Sequence, residues 1–198
     1  MADSPLSSTS RLDRGFGVAG VTGGAALLAA FVIDIPPDLN ELRLVLYLIG
    51  AAAVVVGIQV RQASVATPLS WAVAVAAVAA NALYLARLAL PYSPWHPFAG
   101  DNGMMFFVAG VAMWLADSAF GLMALQLGVV RRWGAIALAI GSVLAIAGID
   151  RLGLTSEANP TIFGTLAMAG VALNGLGWIL LGLELIRPRQ LDGFAVAA

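Results

Sequence analysis

Long apolar runs broken by short polar stretches set the pattern of this chain. Apolar positions dominate residues 15–35, 42–60, 69–90, 104–130, 134–154 and 162–186. Between them stand PPDLN (Pro36 to Asn40), the Thr67-Pro68 step, PYSPWHP (Pro91 to Pro97), RRW (Arg131 to Trp133) and TSEANP (Thr155 to Pro160). Most of these separators carry residues that break helices or favour turns. About 20 consecutive apolar residues are needed to cross a bilayer as a helix. The runs are continuous and do not alternate, so helices are expected and a barrel is not. The pattern predicts an all-α polytopic membrane bundle of six transmembrane helices. It forms a single integral membrane domain over 1–198, with tails at 1–14 and 188–198.

Composition agrees. The chain has 198 residues, 61% hydrophobic and 11% charged, with mean hydropathy +0.93. Soluble domains carry about 25% charged residues, so this chain could not cover a core with a polar skin. Cysteine is absent and His96 is the single histidine. Disulfides, thiolate chemistry, Fe–S clusters and a bis-histidine haem within one chain are therefore excluded. All ten basic residues are Arg, so no lysine Schiff base can form. No cofactor and no metal site is expected. The opening MADSPLSSTS (Met1 to Ser10) lacks the charged-then-apolar order of a signal peptide.

The arginines orient the bundle. With six spans both termini share one side, which would hold Arg11, Arg14, Arg61, Arg131, Arg132, Arg187 and Arg189. Arg43, Arg87 and Arg151 fall opposite. Seven against three predicts a multi-pass protein of the cell membrane with both termini cytoplasmic. Asp34, Asp38, Glu41, Asp101, Asp150 and Glu157 fall on the outer ends and loops. The outer charges read either as solvated loop ends or as a polar vestibule built from Asp34, Glu41, Arg43, Arg87, Asp150 and Arg151. Carboxylate partners could hold the arginines there.

The two halves share short matches. FGVAGV (Phe16 to Val21) resembles FFVAGV (Phe106 to Val111), and VAANAL (Val78 to Leu83) resembles VALNGL (Val171 to Leu176). Ile49-Gly50 and Gly57-Ile58 resemble Ile140-Gly141 and Gly148-Ile149. Order is kept, as expected of an inverted 3+3 repeat with halves 15–90 and 104–187, a common transporter plan. Chance matches among Ala, Gly, Val and Leu are the competing explanation.

The candidate chemistry lies at mid-depth. Asp117 has thirteen uncharged residues on each side (104–116 and 118–130). A charge at the bilayer centre costs about 2.5–3.5 kcal/mol on insertion scales. Asn81 and Asn174 also fall near helix centres. On the fourth run Gly110, Trp114, Asp117, Gly121, Ala124 and Gly128 share one helical face. Tyr84 lies one turn from Asn81, and Gly170, Asn174, Gly177 and Trp178 cluster on the sixth run. Trp114 and Trp178 lie deep, so each indole N–H needs an acceptor. Asn81, Tyr84, Trp114, Asp117, Asn174 and Trp178 read either as hydrogen-bonded glue between helices or as a binding constellation, with Asp117 the one candidate acid. No arginine shares its depth, so Asp117 is expected to be protonated, to face the bundle and to donate a hydrogen bond. Gln126 and Glu184 lie nearer the inner ends, where pairing with Arg131, Arg132 or Arg187 is expected.

DLNELR (Asp38 to Arg43), MWLAD (Met113 to Asp117) and NPTIFG (Asn159 to Gly164) resemble small six-span membrane proteins of high-GC actinobacteria. That resemblance implies a fold and no activity. Nucleotide loops, zincin helices and nucleophile elbows are absent, and a net charge of −1 gives nucleic-acid binding no support. Expected partners are membrane lipid, a small-molecule or hydrophobic ligand, and a second copy of the chain. Three functions stay open. The first is a small channel or transporter. The second is an intramembrane enzyme acting on a lipid or isoprenoid, with Asp117 as acid. The third is a structural or accessory subunit.

Overall fold

The computed structural model describes residues 6–29, 37–89, 102–128, 130–148 and 160–187. Among them the chain is all-α, with six helices: α1 (Leu6–Ala29), α2 (Pro37–Arg61), α3 (Pro68–Ala89), α4 (Asn102–Leu127), α5 (Arg132–Ala147) and α6 (Pro160–Ile186). Proline opens α2, α3 and α6, where its missing N–H costs nothing and its fixed φ suits the first turn. Thr67 caps α3 reciprocally. Its Oγ1 accepts the Ser70 N–H at 3.2 Å, and Ser70 Oγ accepts the Thr67 N–H at 3.0 Å. Gly128 ends α4 in the left-handed region, at φ 65°. Helix α1 starts at Leu6, so residues 6–14 of the expected tail are helical. LSSTSRLDR contains neither Gly nor Pro, so nothing stops the helix from continuing out of its apolar stretch.

Helices α2, α3, α4 and α6 are long and apolar enough to cross a membrane, and α5 is a shorter apolar helix over Arg132–Ala147. Large apolar side chains point outward: Ile49 and Val56 on α2, Val75 and Leu83 on α3, Leu115 and Leu122 on α4, Ile140 and Val143 on α5. Polar side chains point inward: Gln59, Gln62, Ser70, Asn81, Asp117, Ser118, Ser142 and Asn174 are all buried. A soluble protein would not expose so continuous an apolar surface. The arrangement is compatible with an integral membrane protein, in which lipid replaces water around the bundle.

Helices adjacent in sequence pack against each other, and α1 closes the ring on α6. Small residues set the spacing. Gly17 lies against Gly182 and Gly24 against Gly175, while Gly23 faces Gly50, so α1 is antiparallel to both α6 and α2. Between α5 and α6 a Cβ on Gly141 would run into the backbone of Asn174 and Gly170, so only glycine permits this approach.

This ring does not support the inverted repeat. An axis in the membrane plane would carry α1, α2 and α3 onto α4, α5 and α6 while reversing the sense of travel around the ring. The chain instead keeps one sense from α1 to α6. An axis along the membrane normal fails as well, because α1 and α4 run in opposite directions.

Candidate functional site

Five helices bring polar side chains together at mid-depth. The Asp117 carboxyl from α4 is 0% exposed. Asn81 from α3 donates through Nδ2 to Asp117 Oδ1 at 3.1 Å, and also to its own Ala77 carbonyl at 2.9 Å. The Tyr47 hydroxyl from α2 lies 3.2 Å from Asp117 Oδ2 and 3.0 Å from Asn174 Oδ1 of α6. Asn174 Nδ2 donates to Ser142 Oγ of α5 at 2.9 Å, and Ser142 Oγ donates to the Leu138 carbonyl at 2.8 Å. The result is a continuous chain of hydrogen bonds from α3 through α4, α2 and α6 to α5. Buried polar groups cost little when paired and much when not, so each link holds its neighbours in place.

Local sequence explains the convergence. Asp117 lies in the middle of the long apolar segment Val108–Leu127 of α4, and Asn174 in the middle of Gly164–Ile186 on α6. Gly121 lets α5 approach α4 beside Ser118, whose Oγ donates to the Ala139 carbonyl at 3.3 Å. The fully buried Trp178, one turn from Asn174, stacks on Phe120 with ring centroids 6.1 Å apart. Trp114 packs against Tyr47 at 6.3 Å between centroids, and Tyr84 lies against Gly110.

Of the candidate constellation, the structure joins Asn81, Asp117 and Asn174 in one bonded network. Trp178, Trp114 and Tyr84 border it. The Trp178 indole stands beside the acceptors its depth calls for, Asp117 and Tyr47, short of full hydrogen-bond geometry. Packing against Phe120 holds its ring, and Asn81 Oδ1 is buried without a partner.

Sequence reasoning missed Tyr47 and Ser142. Both are polar residues deep inside apolar runs, and a tyrosine far from either helix end is as informative as a deep tryptophan. It also missed a second buried group between α2 and α3. There Gln62 Nε2 donates to Gln59 Oε1 at 2.7 Å, and Gln59 Nε2 donates to Ser70 Oγ at 3.2 Å.

Near the C-terminal end of α6 Glu184 gathers basic residues, as expected. Arg131 Nε lies 3.3 Å and Arg187 Nη1 3.0 Å from its carboxylate. Arg61 donates to the Glu184 backbone carbonyl. Three arginines assigned to one side by the charge pattern thus meet at one end of the bundle. Of the outer vestibule, Asp34, Asp150 and Arg151 lie outside the described residues, as do the side chains of Glu41 and Arg87. Arg43 is half-buried, its Nε without a hydrogen-bond partner among the described residues. An apolar cleft of about 330 Å³ opens sideways between α2 and α3, lined by Val55, Val56, Gln59, Val60, Trp71, Ala74, Val75, Val78 and Ala79. No family model, curated protein or solved structure matches the chain.

Proposed function

We propose that the chain is a six-span protein of the cell membrane with both termini cytoplasmic, and that it is a small transporter. The Asp117 cluster is its mid-depth site, and α3 is its moving element. One observation carries this reading. The most deeply buried carboxyl is tied to α3 by a single side-chain bond from Asn81, and α3 is the least embedded of the long apolar helices. Only 22% of its membrane segment is buried, against 50% for α2 and for α4. Helices that move must come from the weakly packed part of a structure. Ionisable groups inside membrane spans mark ion and substrate paths.

The enzyme reading needs a lipid-accessible pocket that reaches the acid. The sideways cleft has the right greasy lining, but Asp117, Trp114 and Trp178 are not among its walls, so it does not supply that pocket. An accessory subunit would hold the same cluster permanently shut.

The chain's lack of cysteine makes the test direct. Ala77 is fully buried on α3, one turn from Asn81. Ala77→Cys in lipid vesicles should react with a membrane-impermeant methanethiosulfonate reagent as α3 opens a water path. Tethering α3 to α4 by a cysteine pair elsewhere should suppress that reaction. A thiol that stays inert to the reagent on both sides of the membrane, while the denatured protein reacts, would reject transport in favour of a static bundle.

A further inference from the structure

We propose that the ion handled by this site is a proton carried on Asp117 Oδ2, and that Tyr47, Asn174 and Ser142 form a relay that reverses when the proton leaves. The proposal rests on the transport reading and names the ion that such a site would couple to.

Hydrogen counting supports it. Tyr47 has one hydroxyl hydrogen and two oxygen neighbours, Asp117 Oδ2 at 3.2 Å and Asn174 Oδ1 at 3.0 Å. The far end of the chain fixes the direction. Ser142 gives its hydrogen to the Leu138 carbonyl, so it must accept from Asn174 Nδ2. That orientation leaves Asn174 Oδ1 as a pure acceptor, and Tyr47 is its one donor among the described residues. The remaining contact, between Tyr47 Oη and Asp117 Oδ2, is then a hydrogen bond only if Oδ2 carries a hydrogen. Asp117 Oδ1 meanwhile takes the N–H of Asn81.

Removing the proton reverses the chain without large movement. The O–H bond at Oδ2 breaks, its electron pair stays on the carboxylate, and a water molecule admitted beside α3 takes the proton. Tyr47 turns its hydrogen to Oδ2. Asn174 rotates its amide by a half-turn, so that Nδ2 donates to Tyr47 Oη and Oδ1 accepts from Ser142. Ser142 then releases the Leu138 carbonyl. Trp178 Nε1, buried beside the carboxyl and short of full hydrogen-bond geometry, is a donor that can close on the charged state. A carboxylate beside it gives that buried N–H a stronger acceptor than a neutral carboxyl does.

The same geometry disfavours an alkali cation, which needs oxygen acceptors aimed at one point. Around the deprotonated carboxylate donors converge instead: Asn81 Nδ2, the Trp178 N–H and, once it has turned, the Tyr47 hydroxyl. The titratable groups facing the carboxyl are Tyr47 from α2 and, behind it, Tyr84 from α3. Helix α4 itself contributes Ser118 nearby, α5 Ser142, and α6 Asn174 and Trp178, none of which ionises in the working range. Among the described residues no charged side chain acts on it.

Infrared spectroscopy of the full chain in lipid vesicles tests this. At neutral pH a protonated-carboxyl C=O band should be present, and Asp117→Asn should remove it. Raising the pH should abolish the band in a one-proton transition, accompanied by a change in tyrosine absorption that Tyr47→Phe eliminates. Sodium chloride at fixed pH should leave the band unmoved. A missing band, a band displaced by sodium, or a band that never titrates while the protein stays folded would each overturn the proposal. Failure here with a reactive Ala77→Cys thiol would leave transport standing with another coupling ion. An inert thiol would instead remove the transport reading itself.

Discussion

Replacing Tyr47 by Phe removes one oxygen atom and keeps the ring that packs against Trp114. That single atom joins α2 to both α4 and α6, through Asp117 Oδ2 and Asn174 Oδ1. Hydrogen bonds within membrane bundles average about 0.6 kcal/mol and reach about 1.7. Losing two therefore predicts destabilisation of roughly 1–3 kcal/mol. Both abandoned partners are fully buried, so neither can turn to solvent, which places the cost above that of a surface bond. Equilibrium unfolding in bicelles, followed by a steric trap or by helicity, measures the difference. A double-mutant cycle with Asn174→Ala should return a coupling of about 0.6 kcal/mol, the share of the Tyr47–Asn174 bond. Equal or greater stability of Tyr47→Phe, or zero coupling in the cycle, would refute the network as the element that holds α2 against α4 and α6.

Asp117→Leu should lose roughly 0.6–2 kcal/mol in the same unfolding assay, while Asp117→Asn should remain near native stability because an amide still donates; a Leu variant more stable than the native chain would count against this. Gly141→Ala should cost about 1–3 kcal/mol through overpacking, because its Cβ would sit 2.8 Å from the Gly170 carbonyl; native stability would show that α5 and α6 part easily. Glu184→Gln should cost less than about 1 kcal/mol, since Arg131 and Arg187 are largely exposed; a large loss would show that the inner cluster is structural. Reporter fusions after Arg61, Arg132 and Arg189 should read cytoplasm, and fusions at Asp38, Asp101 and Glu157 should read outside; one inner site reading external would remove the six-span topology.

The helices were legible because lipid imposes a one-dimensional rule: a span must be long, apolar and continuous. Mid-run Asp117, Asn81 and Asn174 were legible for the same reason, as each breaks that rule and needs a partner. Which partners they take was not legible. Tyr47 and Ser142 join the cluster through helix rotation and spacing, both set by glycine contacts across the α5–α6 and α1–α2 interfaces. The Trp178 indole stands beside Asp117 and Tyr47, the acceptors its depth implied, without reaching full hydrogen-bond geometry. The repeat is not confirmed: likeness between Gly-Ala-Val segments does not fix the order in which helices surround the bundle. The polar start of α1 was not legible, because hydropathy marks where an apolar run begins and a helix need not begin there.

The central claim is that Asp117 turns inward and binds α2 and α3 at once. A cryo-electron microscopy structure in lipid nanodiscs, bound to an antibody fragment for size, tests it most directly. The account predicts the carboxyl in the bundle interior, with Tyr47 Oη and Asn81 Nδ2 within hydrogen-bond distance of its two oxygens. A carboxyl turned toward the acyl chains, or separated from both Tyr47 and Asn81, would contradict it.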